Sequence, residues 1–169
     1  MTFLRFWSLC TLLLISYVVR SQFIDVTTAQ IPQAGGDAQF GDLDADGDHD
    51  LIVLGFDNEE AICRISFNDG YGNFTPAYDL NLEGLSSTPS LALADYNQDG
   101  LVDFVTSGRS NEIDANGNRI LKTILYRNIG GQFEIAIDQL TGLAICDLVW
   151  GDADNDGDLD LLGIGFSSF

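Results

Sequence analysis

An all-β chain of repeated four-stranded units is predicted by three observations. One acidic loop motif recurs three times, together with its apolar flanks. Short β-prone runs separated by Asn/Gly turns fill the intervals between the loops. No 11-residue window beyond the N-terminal leader shows helical periodicity. Four-stranded units of roughly 40–60 residues are the building blocks of β-propellers, so the expectation is antiparallel propeller blades: two full repeats and the opening half of a third. A β-sandwich of hairpins is the alternative, and the strict repetition of the unit argues against it.

The repeat is read by aligning the three loops. Residues 38–55 are AQFGDLDADGDHDLIVLG, residues 91–108 are LALADYNQDGLVDFVTSG, and residues 148–165 are LVWGDADNDGDLDLLGIG. A large apolar residue (Phe40, Leu93, Trp150) stands two before the first aspartate, and a small one (Gly41, Ala94, Gly151) just before it. A glycine fills the sixth loop position (Gly47, Gly100, Gly157), and another closes the unit (Gly55, Gly108, Gly165). The loops begin at 42, 95 and 152, so the periods are 53 and 57. Strand one of each unit ends at the first aspartate, and strand two is LIVLG, FVTSG or LLGIG. The apolar run LIVL predicts burial on both faces. Strand three is ICRISF or TILYR. A turn in FNDGYGNF (67–74) or YRNIGGQF (126–133) follows, and strand four starts at Phe74 or Phe133. NLEGL and QLTGL lead into the next unit. The second unit is lengthened by SNEIDANGNR, where Asn116-Gly117 marks a hairpin tip.

Composition narrows the function. With 46% hydrophobic and 20% charged residues the chain can bury a core. Its net charge of −19 excludes a nucleic-acid binder working through phosphates and disfavours anionic membrane surfaces. Thirteen of the 26 acids lie in the three loops, whereas charge that merely solubilises is scattered. Clustered carboxylates repel one another unless a cation joins them.

Residues 1–21 read as a signal peptide. Arg5 precedes a 14-residue apolar run, Phe6 to Val19, which is short for a membrane span, and Val19 and Ser21 are the small residues before a cut at Gln22. The mature chain, 22–169, is then expected to be secreted or cell-surface (extracellular or periplasmic), with no membrane insertion. Losing Arg5 and Arg20 takes its charge from −19 to −21. Two cysteines remain, Cys63 and Cys146, each in an apolar strand-like run, and they read as small buried thiols rather than a disulfide framework.

Each loop has the form Asp-x-Asp/Asn-x-Asp-Gly-x-x-Asp. Ca²⁺ takes six to eight hard oxygens at about 2.3–2.6 Å. Alternate side chains at positions 1, 3, 5 and 9, a carbonyl at 7 and a bend at glycine 6 can supply them. The first loop offers Asp42, Asp44, Asp46 and Asp50 with the Asp48 carbonyl. The second offers Asp95, Asn97, Asp99 and Asp103 with the Leu101 carbonyl, and the third Asp152, Asp154, Asp156 and Asp160 with the Asp158 carbonyl. Mg²⁺ keeps more of its waters, and no His or Cys lies in ligand register for zinc, so about three Ca²⁺ sites are expected. The second is expected to be weakest, because Asn97 and Leu101 replace acids.

These residues resemble FG-GAP/VCBS-type repeats, the family that builds the seven-bladed propeller of integrin α-subunit heads. The likeness covers nearly all of the mature chain. It implies a calcium loop joining the first two strands of each blade, on a mostly extracellular adhesion protein, lectin or non-catalytic part of a secreted enzyme. Closed propellers need four to eight blades, so the chain is expected to be part of a longer protein.

The leading functional expectation is a calcium-stabilised extracellular binding or adhesion module, recognising a protein or a glycan. An enzyme is not expected. His49 is the sole histidine, sits at a non-ligand loop position, and leaves no nucleophile–histidine set to assemble. The alternatives are a carbohydrate-binding propeller using Tyr71, Tyr96 or Trp150, or a non-catalytic propeller domain of a larger secreted enzyme. Asn73-Phe74-Thr75 is a glycosylation sequon, but it overlaps the repeated turn, so structural use is its default.

Overall fold

Strand-forming residues dominate every interval between the loops, and the computed structural model places them in ten β-strands. It describes residues 35–57 and 60–167. The signal-peptide expectation for residues 1–21, with its cut before Gln22, lies outside them. The first sheet runs in chain order: β1 (Gly35–Gly41), β2 (Asp50–Asp57), β3 (Glu60–Asn68) and β4 (Phe74–Ala77). The second repeats it with β5 (Ser86–Ala94), β6 (Asp103–Ile113), β7 (Arg119–Asn128) and β8 (Phe133–Ile137). β9 (Ala144–Gly151) and β10 (Asp160–Phe166) form a separate hairpin. All pairings are antiparallel. The described chain is therefore all-β and does not close on itself, as two blades and the opening half of a third should look.

The period-two alternation of strands distributes the side chains of the second blade between two cores. Leu91, Phe104, Ile124 and Tyr126 join Leu43, Ile52, Leu54, Cys63, Ile65 and Leu85 in a core between the first and second blades. Their sequence neighbours Ala92, Val105 and Leu125 point the other way and join Leu148 in a core against the β9–β10 hairpin. In the first core Phe104 stacks on Tyr126 at 4.7 Å between ring centroids. The Tyr126 hydroxyl accepts the Glu83 N–H at 2.9 Å, so its polar end is satisfied. In the second core Trp150 stacks on Tyr96 at 6.2 Å and 14°, and its Nε1–H donates to the Ala92 carbonyl at 3.3 Å. Every residue of β2 from Asp50 to Gly55 is buried, as the LIVL run predicts.

Glycine has a reason in the connections between blades. A Cβ on Gly84 of NLEGL would lie 2.0 Å from the Ala61 carbonyl oxygen, and one on Gly142 of QLTGL 2.2 Å from that of Leu121. Each connection thus runs against the backbone of the preceding blade's third strand, closer than any side chain permits. The hairpin tip is where Asn116-Gly117 puts it. Gly117 has φ of +85°, and its N–H donates to the Asp114 carbonyl. Both cysteines among the described residues are free thiols: Cys63 is buried, which pushes it up to about 12, whereas Cys146, expected to be buried too, is only half-buried because it lies in the hairpin strand β9.

Loop-relative position identifies equivalent residues, and their burial differs with the neighbour they have. Ile52 and Val105 are fully buried, because the second blade and the hairpin cover them, whereas Leu162 is 57% exposed. Ile52→Ala should therefore cost about 3 kcal/mol of stability, and Leu162→Ala less than about 0.5 kcal/mol. Urea denaturation of the two variants beside the parent chain checks the difference.

Candidate metal-binding loops

Each acidic loop follows the first strand of its unit and is shaped by its own aspartates, which accept backbone N–H groups that no strand satisfies. The sixth-position glycine N–H donates to the first aspartate: Gly47 to Asp42 at 3.2 Å, Gly100 to Asp95 at 2.9 Å, Gly157 to Asp152 at 3.1 Å. The fifth residue's N–H donates to the third side chain, at 3.3 Å for Asp44, 3.0 Å for Asn97 and 3.2 Å for Asp154. The seventh residue's N–H donates to the fifth, at 2.9 Å for Asp46, 3.0 Å for Asp99 and 2.9 Å for Asp156. Two residues per loop are left-handed. The expected glycine at position 6 has φ of 96°, 89° and 96°, and position 4, occupied by Ala45, Gln98 or Asn155, has φ of 64°, 58° and 62°. Position 4 carries no glycine signature and was invisible to the motif.

The ninth aspartate is a structural tie in both complete blades. Asp50 is fully buried. Its Oδ2 accepts the Leu43 N–H at 2.8 Å and its Oδ1 the Asn68 N–H at 2.8 Å. Asp103, also fully buried, accepts from Tyr96 at 3.3 Å and Asn128 at 2.7 Å. Asp160 accepts the Ala153 N–H at 2.9 Å and stays exposed. The ties also correct the reading of the turns. Asn68 and Asn128 occupy the same structural place, so FNDGYGNF and YRNIGGQF match with a one-residue slip and not end to end. The turn after Asn68 is one residue longer than that after Asn128.

Sequence reasoning did not single out Asn68 and Asn128. Their side chains cap the loops, with Asn68 Nδ2 donating to the His49 carbonyl at 3.1 Å and Asn128 Nδ2 to the Val102 carbonyl at 3.0 Å. Gln98 is another addition. Its Nε2 donates to the Gly157 carbonyl at 2.9 Å and to Asp158 Oδ1 at 3.2 Å, hooking the second loop to the third.

The three loops differ as places for a cation. In the first, carboxylate oxygens of Asp42, Asp44 and Asp50 lie within 4.8 Å of one another. Asp42 Oδ1 is buried and has no hydrogen-bond partner. Its counterparts are satisfied, Asp95 Oδ1 by the Asp99 N–H at 3.0 Å and Asp152 Oδ1 by the Asp156 N–H at 3.1 Å. A buried carboxylate oxygen left without a donor is costly, and a hard cation held by the three aspartates is the partner that fits it. In the third loop Asp152, Asp154 and Asp156 converge to the same distance but are exposed. The acids of the second loop form no such group, and Asn97 Nδ2 donates to Asp99 Oδ2 at 3.0 Å, occupying an oxygen that a cation would use.

Three comparisons with known proteins bear on these loops. Residues 42–106 match the family model of the FG-GAP-like repeat, from the first loop aspartate through the second loop into β6. No curated protein and no solved structure matches the chain.

Burial raises the Asp50 and Asp103 carboxyls above the ordinary 3.8 against the pull of their N–H donors. Burial, then the charges of Asp50 and Asp46, raises Asp44. Raised folded values mean that the fold holds these protons more tightly than the unfolded chain does, so this contribution to stability grows as pH falls through the range just above 3.8. Asp69, held low by the Asn73 side chain and the Tyr71 N–H, and Asp114, held low chiefly by the Asn118 N–H, act oppositely and lose their contribution below 3.8. In metal-free buffer, the melting temperature should rise as pH is lowered from neutrality towards that range, read by circular dichroism. The ties give a second prediction. Asp50→Asn leaves one buried N–H without a carboxylate and should cost about 2 kcal/mol in metal-free urea denaturation, with Asp160→Asn costing much less.

Proposed function

We propose, from the premise that this is an FG-GAP-type repeat protein, that it serves as a secreted or cell-surface propeller module for binding or adhesion, with Ca²⁺ as a structural ion in its acidic loops. The observation that carries the reading is the first loop, where buried Asp42 Oδ1 lacks a donor and Asp44 and Asp50 bring carboxylate oxygens within 4.8 Å. Asp42, Asp44, Asp46 and Asp50 with the Asp48 carbonyl would hold the ion there. Asp95, Asn97, Asp99 and Asp103 with the Leu101 carbonyl would form a weaker second site. Asp152, Asp154, Asp156 and Asp160 with the Asp158 carbonyl would form the third. An all-oxygen donor set of this size suits Ca²⁺ better than Mg²⁺ or zinc. The ion's contribution is charge neutralisation. It offsets the repulsion among converging aspartates and pins the strand-joining loop.

No catalysis is assigned to the chain. His49 is exposed, and its carbonyl serves the loop cap, while the clustered acids are committed to loop structure. The partner is an extracellular protein or glycan. Stacking of Tyr96 on Trp150 against the second core weakens the glycan reading, since it engages two of the three aromatics that could meet a sugar. Tyr71, 91% exposed, is left.

A ligand present at 100 times its Kd adds about 2.7 kcal/mol to stability per site. Calcium should therefore raise the melting temperature of the chelated protein by several degrees, with Asp42→Asn removing the first loop's share of the gain. A melt that is the same in EDTA and in calcium would sink the structural-ion reading.

A further inference from the structure

Asn128 does more than cap its own loop. Its side chain is almost fully buried and fully used. One Nδ2 hydrogen goes to the Val102 carbonyl of the second loop at 3.0 Å, the other to the Leu43 carbonyl of the first loop at 2.8 Å. Oδ1 accepts the N–H groups of Gly130 and Gly131 at 3.0 and 2.9 Å, holding the β7–β8 turn. That turn rests on the first loop, where a Cβ on Gly131 would lie 3.2 Å from the Asp44 Cβ. The backbone N–H of Asn128 donates to Asp103, the tie of the second loop, and that of Leu43 to Asp50, the tie of the first. A continuous hydrogen-bonded path thus links the two buried aspartates. Asn68, in the same structural place of the first blade, donates its side-chain amide to its own loop alone among the described residues.

We propose that Asn128 is a positioning residue that couples the first two acidic loops, so that a cation ordering one loop favours binding at the other. The inference rests on the calcium reading above. A buried amide satisfied at all four of its hydrogen-bonding positions tolerates little displacement, because moving either loop strips it of a partner. Asp44 and Asp50, drawn together by a cation, fix Leu43 and the Gly131 contact. Asn128 transmits that geometry to Val102 and Asp103. Coupling of this kind acts in both directions.

The test is a calcium titration of the full chain, following the Gly47 and Gly100 amide resonances as separate reporters of the two loops. Asp44→Asn, which weakens the first loop, should raise the calcium concentration needed at Gly100 by about tenfold. The same change made beside Asn128→Ala should leave Gly100 at the value of Asn128→Ala alone, and Asn128→Ser substitutes should the alanine variant fail to fold. A Gly100 midpoint indifferent to Asp44→Asn overturns the coupling, and a shift that survives loss of Asn128 overturns its assignment to this residue. Amide exchange without metal separates this failure from failure of the calcium reading. Asn128→Ala should speed exchange at both Leu43 and Tyr96, Asn68→Ala at Leu43 alone. Absence of any calcium response overturns cooperative occupancy together with the calcium reading, and unequal exchange at Leu43 and Tyr96 in Asn128→Ala overturns the physical link itself.

Discussion

A carboxylate buried between a loop and a turn holds each complete blade together. Asp50 and Asp103 stand at the first residue of β2 and of β6, where the chain leaves the acidic loop. Each reaches back to the second residue of its loop and across to the end of the blade's third strand. Removing an ionised carboxylate from water is expensive, and charge-assisted bonds from two backbone N–H groups offset part of that cost. The consequence is geometric. The loop, the hairpin it joins and the β3–β4 or β7–β8 turn become one unit, so the acidic residues at positions 1, 3 and 5 project from a fixed frame. The β9–β10 hairpin shows the frame with one tie missing. Asp160 keeps its bond to Ala153 and is exposed, because no third strand of its unit lies among the described residues to supply a second donor.

That local frame is stabilised by nearest-neighbour packing, as in other repeat architectures. The second blade has both faces covered and shares one core with each neighbour. Adjacent residues in one strand, Phe104 and Val105 for example, therefore answer to different partners. The outer face of the hairpin carries Val149, Leu162, Ile164 and Phe166, all exposed. Their side chains are as apolar as those of β2, and the difference in burial comes from neighbours and not from residue type.

Much of this was legible in the residues, and the parts that were not share a cause. The strand-two runs, the glycine bends and the hairpin tip at Asn116-Gly117 all follow from local pattern: alternation or backbone freedom. The left-handed position 4 was hidden because Ala45, Gln98 and Asn155 have no common chemistry; it lies between two side chains, at positions 3 and 5, that accept backbone N–H groups of the loop. The tie role of Asp50 and Asp103 was hidden for another reason. In the motif the ninth aspartate looks like any other acidic loop residue, and its partners, Asn68 and Asn128, lie a full strand pair away. Asn128 was obscured further by the unequal turn lengths, which shift it by one place against Asn68 when the two segments are aligned end to end.

The same motif consequently yields three different electrostatic sites, and the surroundings decide how. At the first loop burial adds to the mutual repulsion of Asp44, Asp46 and Asp50, and one oxygen of Asp42 has no donor, so a cation there would relieve desolvation and repulsion together. At the second, the Asn97 amide already neutralises part of the demand by donating to Asp99, and the loop needs a cation least. At the third, three carboxylates converge in the open, where water screens them and Gln98 from the neighbouring loop steadies the backbone. Need for a cation and ease of binding it thus diverge along the chain. The first loop gains most because its aspartates are the most withdrawn from water, and the same withdrawal makes its shape depend on Asn68, Asn128 and the blade beyond.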